Sequence, residues 1–304
     1  MKKRKRQPGL PREALLFDLP EKQTDEIRVD RLKNPVWTGN KAKLIERYLY
    51  HFVLVTKHGA YIDGFAGPQR PDHPEMWAAK LVLESEPQWL RHFYLFDKSS
   101  RQIERLRELR SVQPTICGRT IQIYSGDFNA HLQTLLQKRE IKETEATFCL
   151  LDQRTFECHW NTVTALARYK GAGHPKVELF YFLAASWLPR ALSAIKNEEL
   201  LRQWWGRDDA SSLRRSGVDQ IKEMIIERFG SELGYKSVMA WPIFDRRGSE
   251  FVVYYMIHAT DHAEAPKLMA RAYNEAVEPP AIAEQLSLGL MAAGQDETLH
   301  SLLR

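Results

Sequence analysis

Short, strongly apolar segments alternate with helical segments through the middle of this chain, and this alternation limits the possible fold more than any other feature. The apolar segments cover residues 60–64, 92–97, 120–127, 146–152 and 177–183. Segments with helical spacing lie between them, at residues 76–85, 100–111, 129–139 and 160–169. Strands that are apolar throughout are typical of a parallel sheet covered by helices on both faces. The chain is therefore predicted to be an α/β protein.

The alternation stops after the fifth strand. Residues 187–233 are polar with helical spacing and predict a helical insertion. Residues 235–245 and 250–259 are apolar and flank a turn at 246–249, which indicates an antiparallel hairpin. Five parallel strands closed by a hairpin are the layout of class I S-adenosylmethionine (SAM) methyltransferases. We predict this Rossmann-like fold, with a mostly parallel sheet that ends in an antiparallel hairpin.

Charge and composition mark the predicted domain boundaries. Residues 1–47 hold 13 Lys/Arg and 7 Asp/Glu, a surplus of +6, so the rest of the chain carries −1 of the total of +5. Residues 1–36 are predicted to be a basic, extended arm, residues 37–278 the methyltransferase-type domain, and residues 279–304 a C-terminal tail. Residues 2–6 are all basic, and they either contact phosphate groups or form a solubilising tail.

Composition excludes several classes of protein. No apolar run approaches the roughly 18–20 residues of a membrane helix, and the basic start is not followed by the apolar region of a signal peptide. Cys117, Cys149 and Cys158 form no CxxC pair, so neither zinc nor a disulfide framework is predicted. We expect a reduced, cytoplasmic protein without a metal.

Each of the first four predicted strands ends in an aspartate. These residues are Asp63, Asp97, Asp127 and Asp152. Ligands of doubly wound sheets bind outside the carboxyl ends of the strands, where the strand order reverses. Four acids at one sheet edge therefore predict a single ligand crevice.

The first of these acids opens the predicted cofactor loop, Asp63-Gly64-Phe65-Ala66-Gly67. Glycines let a backbone turn tightly and approach a ligand closely. The loop lacks the G-x-G-x-x-G spacing of pyrophosphate sites, and Pro68 has no N–H to donate. It suits an uncharged or zwitterionic ligand; the alternative is a tight turn without a ligand.

The next two acids have one ligand role and one structural alternative each. Asp97 is predicted to accept hydrogen bonds from ribose hydroxyls, or else to cap the following helix, a role that Ser99 could take instead. Asp127 is predicted to accept a hydrogen bond from an exocyclic amine, with Phe128 against an adenine face. The alternative for this pair is a helix cap beside a core phenylalanine.

Polar and reactive side chains follow the fourth strand, and such a cluster indicates a site. Asp152, Gln153 and Glu157 are predicted to orient or deprotonate a substrate group. Cys158 is either a nucleophile or a buried structural cysteine. His159 is either a base or part of a helix start.

The stretch from Trp37 to Trp160 resembles the three-Cys-motif partner (TcmP) family. The matching segments are Trp37 with Lys41, residues 61–68 around Asp63-Gly64-Phe65-Ala66-Gly67, and residues 152–160, which read Asp-Gln-Arg-Thr-Phe-Glu-Cys-His-Trp. The resemblance covers about residues 35–260. It implies a methyltransferase-like SAM fold and a partner with a three-cysteine motif, a phage-type protein that resembles radical-SAM proteins.

A broader similarity is to amino-methyltransferases that act on nucleic acid. Their first motif reads D-x-F-x-G-x-G, which Asp63, Phe65 and Gly67 match, while Gln69 replaces the last glycine. Their catalytic motif is an Asp, Asn or Ser followed by Pro-Pro and an aromatic residue. Only Asp152 matches it here, so the similarity does not carry over their catalytic mechanism.

Three functions are compatible with these residues. The first is a SAM-dependent methyltransferase that acts on RNA, on DNA or on a substrate of the protein partner. The second is a scaffold subunit that keeps the fold without catalysis. The third is a nucleic-acid-processing enzyme in which Asp63, Asp97 and Asp152 hold Mg²⁺. Trp204 and Trp205 in the insertion either stack on bases or pack in a core.

Overall fold

The computed structural model describes residue 36 and residues 38–276. Trp37, the predicted arm up to residue 35 and the predicted tail at 279–304 lie outside the described residues. No helix among the described residues is long and apolar enough to cross a membrane.

Seven strands form one sheet. They are β1 (Gly59–Asp63), β2 (Leu90–Asp97), β3 (Thr120–Ser125), β4 (Thr147–Leu151), β5 (Glu178–Leu183), β6 (Ser237–Phe244) and β7 (Val252–Thr260). Their order is β3-β2-β1-β4-β5-β7-β6. Strands β1 to β5 are parallel, and β7 runs antiparallel to both β5 and β6. This is the strand order of class I SAM methyltransferases, so the predicted fold class is confirmed.

Nine α-helices lie in the described part of the chain. Five accompany the parallel strands: α1 (Lys41–Thr56), α2 (Ala78–Glu84), α3 (Ser100–Ser111), α4 (Phe128–Gln137) and α5 (Trp160–Arg168). Three lie between β5 and β6: α6 (Leu188–Ala194), α7 (Glu198–Trp205) and α8 (Val218–Ser231). The last is α9 (Ala265–Glu275), and short 3₁₀ helices cover Thr38–Asn40, Pro74–Met76 and Asp208–Arg215.

The sheet has an apolar layer on each face. Alternate residues of a strand point to opposite faces, and β1 follows this rule: Tyr61 packs in one layer, whereas Ala60 and Ile62 pack in the other. All five residues of β1 are buried. This explains why the strands read as continuous apolar runs without polar alternation.

The two tryptophans of the insertion are core residues. Trp204 and Trp205 are 1% and 3% exposed, and Trp204 packs edge-on against Phe156. The guanidinium of Arg228 lies over the rings of Trp160 and Trp205, at 3.8 and 4.5 Å from their centroids. The insertion therefore packs against the sheet layer, and these indoles are not open to a stacking base.

The position of the ligand crevice follows from the strand order. After β3 the chain returns to the other side of β1 to form β4, so the direction of the sheet's growth reverses between β1 and β4. The loops after these two strands therefore leave in opposite directions and open a crevice at the carboxyl ends.

Candidate functional site

The loop after β1 is held by its own backbone. The N–H of Gly64 donates to Leu150 O, that of Phe65 to Asp63 Oδ1, that of Ala66 to Phe96 O, and that of Gly67 to Asp97 Oδ2. Every N–H from residue 64 to residue 67 therefore has a partner within the protein. Pro68 follows and has none to donate.

Asp63 lies beneath this loop. It is 2% exposed, its Oδ2 accepts a hydrogen bond of 2.8 Å from Tyr61, and its Oδ1 accepts one of 3.1 Å from Phe65 N–H. Burial raises the pKa of Asp63 to about 7, although both hydrogen bonds act in the opposite direction. The carboxyl group is therefore poised to change charge near neutral pH.

Gly67 is required by a close approach of side chains. A Cβ atom at this position would lie 2.5 Å from Asp97 Oδ2 and 2.5 Å from Gln102 Cβ. Asp97 also accepts a hydrogen bond of 2.8 Å from Ser99 N–H through Oδ1. Ser99 occupies the N-cap position of α3 but forms no side-chain cap. Asp97 thus holds the turn with both oxygens, and each oxygen keeps a lone pair for a ligand.

Asp127 caps helix α4 and also lies at the crevice. Its Oδ1 accepts hydrogen bonds from the N–H and the Nδ2 of Asn129, at 3.3 and 3.0 Å. Its Oδ2 has no hydrogen-bond partner among the described residues. Phe128 is only 3% exposed and packs edge-on against Phe96. The helix cap expected as the alternative is present, and Phe128 forms the floor of the crevice with little face to offer.

Asp152 is held by a lysine that sequence reasoning did not single out as a site residue. Lys41 Nζ lies 2.8 and 2.7 Å from the two carboxylate oxygens of Asp152, and both side chains are about nine-tenths buried. Gln69 Nε2 donates to the same carboxylate at 3.3 Å. Lys41 also lies over the rings of Phe182 and Tyr254. Transfer of a proton to this carboxylate would break the ion pair with Lys41.

The remaining residues after β4 shape a loop. Gln153 is 1% exposed, and its Oε1 accepts a hydrogen bond from Cys158 N–H. It therefore points away from the crevice, whereas the sequence predicts that it faces a substrate group. Glu157 accepts a hydrogen bond from Arg154 N–H and pairs with Lys98. Cys158 is fully buried, and burial raises the pKa of its thiol. It therefore fits the structural alternative.

Asn129 ties this loop to α4. Its Nδ2 donates to Glu157 O at 2.9 Å, and its Oδ1 accepts from His159 N–H and from the hydroxyl of Thr162. His159 stands at the N-cap position of α5 without a side-chain cap. The position of the loop after β4 thus depends on a buried amide that no short motif marks.

Two adjoining cavities open along the carboxyl edge of the sheet. The larger has a volume of about 540 Å³ and is lined by Asp97, Asp127, Asp152 and Glu157 among others. Gly64, Phe65, Gly67 and Phe128 line the same cavity. The smaller has a volume of about 180 Å³, and Lys41, Asp63, Ala66 and Trp77 are among its lining residues. Phe65, Gly67, Gln69 and Asp152 line both, so the two cavities meet at the loop after β1.

The structure thus brings most of the predicted residues to one site. Three of the strand-end acids face the larger cavity and Asp63 faces the smaller one, whereas Gln153 faces neither. Among the described residues, no group of three or more His, Cys, Asp or Glu side chains is placed to hold a metal ion. The acids line the crevice separately and do not converge on one point.

Comparison with known proteins gives likenesses among solved structures. No model of a protein family matches the chain, and no curated protein matches it. Ten solved chains do match. One is the carbon methyltransferase CurJ, at 10% identity and a TM-score of 0.41, over 71% of this chain and 54% of that one. The chain therefore spans about half of the CurJ chain.

A second match is a protein from Methanococcus maripaludis assigned as a SAM-dependent methyltransferase. It has 16% identity and a TM-score of 0.36, over 72% of this chain and 85% of that one. Likenesses this distant do not bear on function. The strand order defines the class: this protein has the class I SAM-methyltransferase fold, with an acidic crevice at the carboxyl edge of its sheet.

Proposed function

We propose that this protein binds SAM in the larger cavity and transfers its methyl group to an acceptor at the junction with the smaller one. The observation that carries the proposal is the pairing of Asp97 and Asp127 in one cavity, at the ends of adjacent strands. Both carboxylates have lone pairs left after their structural hydrogen bonds. The cavity volume falls within the roughly 300–1,000 Å³ typical of small-molecule sites.

The residues fit the parts of SAM one by one. Asp97 suits the ribose hydroxyls, as acids after the second strand do in dinucleotide sites. Asp127 Oδ2 suits the exocyclic amine of adenine, and Phe128 supplies an apolar floor. Asp63 lines the smaller cavity and not the larger one, so in this proposal the methionine part extends through the junction of the two cavities. There Asp63 suits its ammonium, because a cation beside it offsets the cost of ionising a buried carboxyl group. The close approach at Gly67 leaves no room for a side chain beside Asp97.

Catalysis in this proposal relies on positioning. Bound SAM supplies an activated methyl group on a sulfonium, so the protein has to orient the acceptor and exclude water. The ion pair of Lys41 with Asp152 fixes the wall between the two cavities. Glu157 is the less constrained carboxylate, with a side chain 25% exposed in the larger cavity. We assign a positioning role to Asp152 at the junction. Glu157 lines only the larger cavity, and we assign it a role on that side of the acceptor.

The proposal extends to a protein partner through the resemblance alone. Trp37 and Lys41, the loop from Asp63 to Pro68, and residues 152–160 are the segments that resemble the TcmP family. We propose on this basis that the protein works with a three-cysteine-motif protein.

Calorimetric titration with SAM and S-adenosylhomocysteine tests the cofactor site. We expect micromolar binding that is lost in Asp97→Ala and kept in Asp72→Ala, because the side chain of Asp72 is 81% exposed and lines neither cavity. A thermal melt of each variant separates lost contacts from lost folding. Absence of binding at millimolar SAM contradicts a cofactor site that is complete in this chain alone.

A scaffold is the second candidate, and the Lys41–Asp152 ion pair is the observation that favours it. Lys41 binds both oxygens of the carboxylate after β4, so transfer of a proton to this acid would break a largely buried ion pair. The scaffold hypothesis expects no SAM binding by the chain alone and tight binding to the three-cysteine protein. Repeating the titration with that partner present distinguishes a partner-activated enzyme from a scaffold.

A further inference from the structure

An exposed group of aromatic and arginine side chains lies beside the proposed acceptor side of the crevice. We define the rim patch as Trp187, Arg190, Arg246, Arg247 and Phe251. Because β5 and β6 end and β7 begins at the carboxyl edge of the sheet, the segments after β5 and between β6 and β7 meet there. A hydrogen bond of 3.1 Å from Ser186 N–H to Val253 O joins these two segments.

The rim patch adjoins the smaller cavity. Thr38 and Tyr254 line that cavity, and the Thr38 hydroxyl donates to Asp245 O, the residue before Arg246. Tyr254 is three residues after Phe251 in the same chain segment. The rim patch therefore borders the smaller cavity through chain neighbours of its residues, although none of the five patch residues lines that cavity.

The two aromatic side chains of the patch are unusually open. Four large hydrophobic side chains are exposed among the described residues, and the only aromatic ones are Trp187 and Phe251, at 57% and 59%. Arg190 lies 5.4 Å from the centroid of the Trp187 ring and holds this indole by a cation–π contact. Exposed aromatic rings are the side chains on which unpaired bases stack.

The arginines of the patch are available to phosphate groups. Arg190, Arg246 and Arg247 are exposed and form no ion pair with the described residues, whereas Arg202, Arg214 and Arg271 do. Asp245 turns back on its own loop and accepts the N–H of Arg246 at 2.8 Å. Glu250 is the other acid of this turn, so the patch has an excess of positive charge. A guanidinium matches phosphate in shape and charge.

The backbone of Val36 is hydrogen-bonded at the same edge, to a residue close to the rim patch in the chain. Val36 O accepts a hydrogen bond of 2.9 Å from Phe244 N–H, the last residue of β6.

We infer that the rim patch binds a single-stranded nucleic acid, with bases stacked on Trp187 and Phe251 and phosphates on the arginines. The inference deepens the proposed function and rests on it for the role of the adjoining cavity, because it names the class of acceptor. Single strands are favoured over duplexes because the exposed rings require unpaired bases.

Fluorescence anisotropy with labelled single-stranded RNA and DNA of about 12 nucleotides tests this inference in the full chain. We expect Trp187→Ala and Phe251→Ala each to weaken binding about tenfold. The double change Arg246→Gln/Arg247→Gln should reduce the salt slope of log K by about 1.4, since each phosphate contact on a single strand contributes about 0.7.

Two matched controls lie at the opposite edge of the sheet, where the helices end. Val112 follows α3, is exposed at 75% and is changed to alanine; Arg168 is the exposed last residue of α5 and is changed to glutamine. Both controls should bind the oligonucleotides as the wild type does. The inference is overturned if the patch variants bind the oligonucleotides as tightly as the controls do. It is also overturned if the wild type binds neither oligonucleotide; the rim patch would then be a candidate surface for a protein partner.

Titration of the same variants with SAM keeps the two proposals separate. SAM binding without oligonucleotide binding overturns the rim-patch inference and leaves the proposed cofactor site standing. Oligonucleotide binding that depends on the two aromatic residues, without SAM binding, supports the patch and overturns the methyltransferase proposal.

Discussion

Asp63→Asn should make the protein more stable at alkaline pH and change how stability depends on pH. Asp63 is buried, and its carboxylate accepts hydrogen bonds from Tyr61 and from Phe65 N–H. Asparagine has almost the same shape, keeps an acceptor for Phe65 N–H, and carries no charge to bury. The substitution therefore removes the cost of ionising this site with little change in packing.

The magnitude follows from the pKa of Asp63, which burial raises from 3.8 to about 7. Between these values the folded chain holds the proton more tightly than the unfolded chain, so the free energy of unfolding falls as the pH rises. This loss of unfolding free energy is complete above about pH 7 and amounts to at most about 4 kcal/mol. The gain in unfolding free energy of Asp63→Asn over the wild type should therefore be about 2.5 kcal/mol larger at about pH 8 than at about pH 5.

Urea denaturation of both proteins at the two pH values measures this difference. Comparing variant with wild type at each pH cancels the titration of all other groups. Asp72→Asn is the control, because the side chain of Asp72 is 81% exposed and its difference should be small at both pH values. An advantage of Asp63→Asn that is equal at both pH values refutes the reasoning that burial controls this carboxyl group.

Three further predictions concern the packing of the site and the core. Gly67→Ala should lower the thermal midpoint and abolish SAM binding, because its Cβ would lie 2.5 Å from Asp97 Oδ2. Gly230→Ala in α8 is the control: its Cβ meets nothing within 4 Å, and the variant should be more stable than the wild type by about 0.5–1 kcal/mol. Iodoacetamide should label Cys117 first in the native protein, because the other two cysteines are buried and burial raises the pKa of their thiols. Mass spectrometry follows the labelling, and rapid modification of all three cysteines contradicts this prediction. Trp204→Ala should destabilise by about 3–5 kcal/mol in urea and leave the oligonucleotide affinity of the remaining folded protein unchanged.

The strands and the crevice were accessible from the sequence because they depend on local patterns. A buried parallel strand is apolar throughout, so β1 could be placed at 60–64 against the observed Gly59–Asp63. Helix α3 was predicted at 100–111, which are its observed bounds. The strand-end acids follow from these placements, since the carboxyl ends of parallel strands share an edge.

The pairing of side chains across the site was not accessible in the same way. Lys41 and Asp152 are 111 positions apart, and only the fold brings them together. One signal was available: Lys41 stands three residues before Leu44 and seven before Tyr48, on the apolar face of α1. A charge on a buried face requires a buried partner. The sequence did not identify that partner. It also did not show that Gln153 points into the protein, because the polarity of residues at a strand end does not reveal which side chains turn inward.

The hydrogen bonds of the loop after β1 decide which kind of cofactor the crevice can hold. A pyrophosphate is bound by backbone N–H groups that point at it from a glycine loop and a helix start. Here the four N–H groups from Gly64 to Gly67 already donate within the protein, and Gly67 donates to a carboxylate that itself lines the cavity. A pyrophosphate would meet no free donors in this loop and several negative charges. A ligand with a sulfonium and an ammonium but no phosphate meets the opposite situation. We therefore expect NAD and ATP to show no calorimetric binding at millimolar concentration where SAM binds at micromolar concentration. Dinucleotide binding that Asp97→Ala leaves intact would show that donors elsewhere, and not this loop, determine the ligand.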